Sequence, residues 1–193
     1  MRSKCKVRVH LLSVILLLIL AALSPRYFPA LLASVAIHEL GHFNVAKARR
    51  IDMRELQLGI FGASLYPSEL LFSYADEILL CAGGPALNFA TAALAVHLLH
   101  FEPSSLFVMS SVSLGSLNLL PVSGFDGGRI ALAALSIMLP ERVARVIVRL
   151  LSFLVLFVLW CLSLYLILRR CASLSLFVFC LSVFAKIFLS ERV

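Results

Sequence analysis

Long apolar blocks separated by short polar and basic stretches dominate the pattern along this chain. Six of them, roughly residues 9–23, 29–48, 78–100, 105–122, 146–168 and 172–189, approach or reach the ~20 residues a helix needs to cross a bilayer. They predict an all-α polytopic membrane protein of about six transmembrane helices. The first block is short. With its basic start, MRSKCKVRVH, and Leu-rich core it has the pattern of a signal peptide. Pro25 directly follows the only small-residue site, ALS, and disfavours cleavage, so an uncleaved helix is expected.

Two stretches depart from the pattern. Residues 51–66 partly alternate apolar and polar positions, with Gly59 and Gly62 available for turns. They predict a short β-hairpin or extended loop after the second helix. Residues 67–77 open with Pro and Ser and carry Leu70, Leu71 and Tyr74, which suits an amphipathic helix at the membrane interface. No internal repeat, linker or low-complexity segment interrupts the chain. A single membrane domain over residues 1–193 is expected, with no room for an added soluble regulatory domain.

Composition supports this class. Hydrophobic residues make up 62% of the 193 and charged residues 14%, and the mean hydropathy is +1.04. A soluble domain of this length lacks the interior volume to hide so much apolar surface. The net charge of +7 marks loop orientation rather than nucleic-acid binding, because no basic run is interleaved with aromatics. Six spans with the N-terminus inside place every Lys and Arg except Arg26, Arg169 and Arg170 on one side. That bias puts both termini in the cytoplasm. The five cysteines show no CxxC spacing and read as small buried hydrophobes.

Against this background the sequence LLASVAIHELGHFNVAKARR is anomalous. His38, Glu39 and His42 form HExxH inside an apolar run. On a helix, positions i and i+4 face the same way, so two imidazoles can share one Zn²⁺. Glu39, next in sequence, can serve as general base to the metal's water without being a ligand. An ionisable group at mid-membrane costs about 2.5–3.5 kcal/mol on insertion scales and marks function by default. The bland alternative is a buried polar cluster tying helices together.

A catalytic zinc commonly takes three protein ligands and leaves one position open. Asp126, His97 and His100 are the candidates for the third. Spans two and four both run from outside to inside, which puts Asp126 and His42 at similar depth, in the cytoplasmic third of the bilayer. His97 and His100 fall near the far face. Asp126 could otherwise be an ordinary Asp-Gly turn. The backbone around Pro121, Gly124, Gly127 and Gly128 is not expected to be regular helix, and irregular backbone at that depth implies burial by protein or access to water. Asn118 suits the orientation of a substrate carbonyl or interhelical hydrogen bonding. Gly83, Gly84, Ala86 and Ala90 suit close helix approach, and Asn88 either braces the site or links helices.

Taken together, HELGH (38–42), AGGPALN (82–88) and NLLPVSGFDGG (118–128) resemble, in order, the motifs of the site-2 protease family of intramembrane zinc metallopeptidases. The resemblance covers about residues 30–130. It implies that His38, His42 and Asp126 bind one zinc, that Glu39 is the catalytic base, and that Asn118 helps hold the substrate. It also implies a catalytic core of spans two to four, about 29–130. Gly124-Phe125 stands where many members have Pro-Leu, which touches the local turn more than the ligand. The layout is most similar to the stage IV sporulation FB branch, without that branch's CBS domain and without a PDZ insert.

The function so implied is proteolysis of a membrane-associated protein near the cytoplasmic face, in a bacterial cytoplasmic membrane. A transcription-factor or sigma-factor precursor is the substrate that the family suggests. The competing readings are a non-catalytic membrane scaffold or pseudoprotease and a zinc hydrolase of a lipid or small molecule. The intact HExxH argues against the scaffold.

Overall fold

The computed structural model describes residues 6–9, 25–51, 53–59, 62–67, 73–98, 102–169, 177, 180, 181, 183 and 184. The chain forms two compact units, Met1–Asn118 and Leu119–Val193.

The first unit holds strands β1 (Lys6–Val9), β2 (Met53–Gly59) and β3 (Gly62–Pro67), and helices α1 (Phe28–Ala48), α2 (Tyr74–Leu98) and α3 (Glu102–Asn118). The three helices pack against one another. Small residues set the closeness of α1 and α2. A Cβ on Gly41 would run into the Gly83 carbonyl, and one on Gly83 would stand 2.8 Å from the Gly41 oxygen and 2.7 Å from Val45 Cγ2. Backbone meets backbone there, which side chains would forbid. Between α1 and α3 the fully buried hydroxyls of Ser34 and Ser111 lie 2.9 Å apart.

Pro29 opens α1 within its first two positions, where a missing N–H costs nothing. The helix ends at Arg49 with Arg50 at φ 57°. The Arg50 N–H donates to the Lys47 carbonyl and the Ile51 N–H to that of Ala46. This is the Schellman closure, with an arginine where glycine is usual. Arg49 then pairs with Asp76 in the first turn of α2, 3.5 Å away. Tyr74–Glu77, read from sequence as part of a separate interfacial helix, are instead the first turn of α2. Residues 68–72 lie outside the described residues.

β2 and β3 pair antiparallel, Leu56 opposite Leu65, closing at Gly59 and Gly62. β1 pairs parallel to β2, Val7 opposite Leu56, giving a three-stranded sheet in the order β1-β2-β3. That third strand, KVRV, alternates polar and apolar residues within the stretch expected only as the basic start of the first helix. Residues 10–24, most of the first expected span, lie outside the described residues.

The second unit holds a turn segment, Leu119–Phe125, followed by helices α4 (Asp126–Met138) and α5 (Glu141–Leu168), which pack together. Irregular backbone ends earlier than expected, because Gly127 and Gly128 lie in the first turn of α4. Both positions need glycine for a tertiary reason. A Cβ on Gly127 would meet the Leu119 carbonyl, and one on Gly128 would stand 2.6 Å from the Val122 carbonyl carbon. The turn segment therefore lies directly on the start of α4. Gly124, at φ +93°, takes the left-handed position of the turn closed by Phe125 N–H to Val122 carbonyl, 3.0 Å. Of the sixth expected span, Phe177, Cys180, Leu181, Val183 and Phe184 are helical, and Phe177 packs 5.6 Å from Trp160 of α5.

Two described helices, Tyr74–Leu98 and Glu141–Leu168, are long and apolar enough to cross a bilayer. Along α5, Leu150, Leu154, Phe157, Val158 and Leu164 stay exposed. So large an apolar surface on one helix suits lipid or a partner better than water.

Candidate metal centre

α1 carries His38 and His42 one turn apart, both buried. Their Nε2 atoms lie 3.1 Å apart, with ring centroids 4.7 Å apart and planes at 81°. Two Zn–N bonds of about 2.0–2.1 Å at the tetrahedral angle would separate the nitrogens by roughly 3.3 Å. The imidazoles are thus spaced to share one ion.

α2 supplies what orients them. His42 Nδ1 lies 2.7 Å from the Leu80 carbonyl, a pure acceptor, so Nδ1 carries the proton and Nε2 keeps its lone pair. His38 Nδ1 lies 3.2 Å from the Asn88 amide nitrogen. Asn88 is fully buried, and its Oδ1 has no hydrogen-bond partner among the described residues. A half-turn of that amide exchanges the two atoms. Oδ1 then accepts the His38 Nδ1 proton and His38 Nε2 also turns a lone pair to the shared point. The orphaned oxygen and the converging nitrogens both fit a bound cation. Asn88 of α2 thus reaches a ring nitrogen of His38 on α1.

Gly84 is the residue whose role the sequence concealed. A Cβ there would stand 2.8 Å from both Cε1 and Nε2 of His38 and closer still to Nε2 of His42. Bare backbone of α2 forms the wall against which both rings rest. Gly83, adjacent to it, meets α1 backbone instead. The only signal in sequence was a pair of glycines, and nothing local separates their tasks.

Glu39 follows His38 on α1 and is half-buried, with Oε2 buried. Asn118 ends α3, half-buried, and its Nδ2 donates to the Leu114 carbonyl of its own helix, 3.1 Å. His97 is exposed in the last turn of α2, nine residues and roughly 13 Å along the axis from Asn88, too far to join His38. His100 lies outside the described residues. In the second unit Asp126 is the first residue of α4 and is half-buried.

The model of Peptidase family M50 matches residues 96–159. The match takes in Asn118 and Asp126 and leaves out His38–His42. No curated protein matches the chain. Among solved structures the chain is similar to the Site-2 Protease from Methanocaldococcus jannaschii. The TM-score is 0.64 and the identity 21%, over 97% of this chain and 91% of that one. This likeness shows the fold.

Proposed function

We propose that the chain is an intramembrane zinc metalloprotease of the site-2 type. The observation that carries this reading is the buried imidazole pair, with Nε2 atoms 3.1 Å apart and each Nδ1 facing a partner on α2. Two imidazoles and a carboxylate are a donor set for catalytic zinc, and His38, His42 and Asp126 supply it. The partial match to Peptidase family M50 and the site-2 protease fold support the same activity. Zinc, when bound, supplies Lewis acidity that makes water acidic and polarises the scissile carbonyl. Glu39 accepts the proton released from water and delivers it to the leaving amine. Asn118 positions the substrate carbonyl.

The substrate is a membrane-associated protein cut near the cytoplasmic face, in the class of a transcription-factor or sigma-factor precursor. No nucleic acid is bound. Residues 1–193 act as one protease domain of six spans in a bacterial cytoplasmic membrane. Both termini and the β2–β3 hairpin are cytoplasmic, and the layout is that of the stage IV sporulation FB branch. Purified protein in liposomes is expected to cleave a single-span reporter, to lose that activity to a chelator and to regain it with zinc. Hydrolysis of the lipid with the reporter left intact would replace this reading with a zinc lipid hydrolase. Retention of zinc with neither activity would favour a scaffold.

Asn88 gives an independent check on the site. Removing a partner that orients a ligating histidine typically lowers metal affinity 10–100-fold. Asn88→Ala is expected to weaken zinc binding about tenfold or more in competition with a chelator. Asn88→Asp, which keeps an acceptor oxygen, is expected to stay closer to the parent. Equal affinity in all three would show that Asn88 only joins helices.

A further inference from the structure

The second unit holds a buried polar contact that the motifs do not include. Ser152, fully buried in α5, has its Oγ 2.7 Å from the Val148 carbonyl. The backbone N–H of Ser123 donates to the same Oγ at 2.8 Å, and the Ser123 hydroxyl lies 3.2 Å away. Ser152 has one proton and two lone pairs. Its one proton serves the Val148 carbonyl or the Ser123 hydroxyl, and a lone pair accepts the Ser123 N–H.

Ser123 lies within the turn that runs from Val122 to Phe125, and Phe125 is the cap of α4, immediately before Asp126. The backbone of Val122 and Ser123 also rests on Gly128 of α4, where a Cβ would come within 3.0 Å of Ser123 N. The turn is thus gripped from two sides, by glycine-bare helix on α4 and by a hydroxyl on α5. Neither grip touches a metal ligand. Both define the path of the backbone that delivers Asp126.

We propose that Ser152 is a positioning residue for the Asp126 ligand, so that α5, outside the three-helix core, sets how firmly the metal is held. The inference rests on the zinc-site reading above. The Ser123 N–H is the group that matters, because it ties the backbone of the turn to α5.

The test uses the full chain, purified and zinc-loaded, and reads zinc release to a chromogenic chelator, the visible absorption of the cobalt-substituted protein and thermal unfolding of the metal-free protein. Ser152→Ala is expected to release zinc about tenfold faster or more, within the range seen for partners that orient metal ligands. Its cobalt spectrum is expected to shift, with metal-free unfolding close to the parent. Ser123→Ala, which keeps the N–H, is expected to release zinc at the parent rate. Ser152→Cys fills similar space but accepts poorly, is expected to follow the alanine variant, and stands in for it should that variant misfold. Parent-like release and spectra in both Ser152 variants overturn the proposal, as does a lowered metal-free unfolding temperature with unchanged release. A parent protein that takes up no zinc, like a His38→Ala control, overturns the zinc reading itself and this inference with it.

Discussion

Exchange of Glu39 for glutamine is expected to lower cleavage about 10²–10⁴-fold, the usual contribution of a general base, while the protein keeps its zinc. Glutamine has the shape of glutamate and no basic oxygen at neutral pH. It can fill the same place beside His38 on α1 but cannot take a proton from water. The proposed ligands His38 and His42 are untouched, so the metal content measured on purified protein should equal the parent's. Stability should hold, since the exchange keeps the shape of the side chain and removes only its charge from an apolar helix. Normal turnover in this variant would exclude Glu39 as the base. Loss of zinc together with activity would instead make Glu39 part of the metal's hold.

Gly84→Ala is expected to abolish zinc retention. The added methyl would sit 2.8 Å from two atoms of the His38 ring and closer to His42 Nε2. Neither ring can simply move aside. His42 is held at Nδ1 by the Leu80 carbonyl and His38 by Asn88. Helix separation is opposed by the Gly41–Gly83 contact one residue away. The methyl must therefore turn an imidazole out of the shared point or push α2 off α1. Overpacking of this kind costs about 1–3 kcal/mol, and either response destroys the convergence of the two nitrogens. Metal analysis of the purified variant is the measurement. Gly115→Ala is the comparison, because its methyl would face the ring of Phe89 at 3.1–3.4 Å, away from the imidazoles, and should leave the zinc in place. Full zinc in Gly84→Ala would mean that the rings and α2 do not meet as described.

How much of this was legible in the sequence differs by element. HExxH spacing on an apolar run predicts the imidazole pair because one helical turn brings i and i+4 together, and that relation is local. α1 and α5 are legible for the same reason, long apolar runs whose composition leaves few alternatives. Helix α4 is not, because Gly127 and Gly128 at its start look like helix breakers. They are there because the Leu119–Ser123 backbone lies on them, a requirement that arises only once the chain has folded back. The parallel pairing of Lys6–Val9 with β2 joins residues nearly fifty positions apart, and alternation within each segment does not say which strands pair.

The site divides along the same line. Sequence alone named the candidates for the chemistry: His38, Glu39 and His42 through helical spacing, which is a property of the chain itself, and Asp126 through the resemblance of its motif. Tertiary structure alone decided which neighbours make those residues usable. It selected Asn88 and the Leu80 carbonyl to face the two Nδ1 atoms, Gly84 rather than Gly83 to make room for the rings, and Ser152 to hold the turn before Asp126. Two adjacent glycines, or one serine among many in an apolar helix, are equivalent as letters. They differ in what packs against them, and close packing between distant segments is where that difference is made.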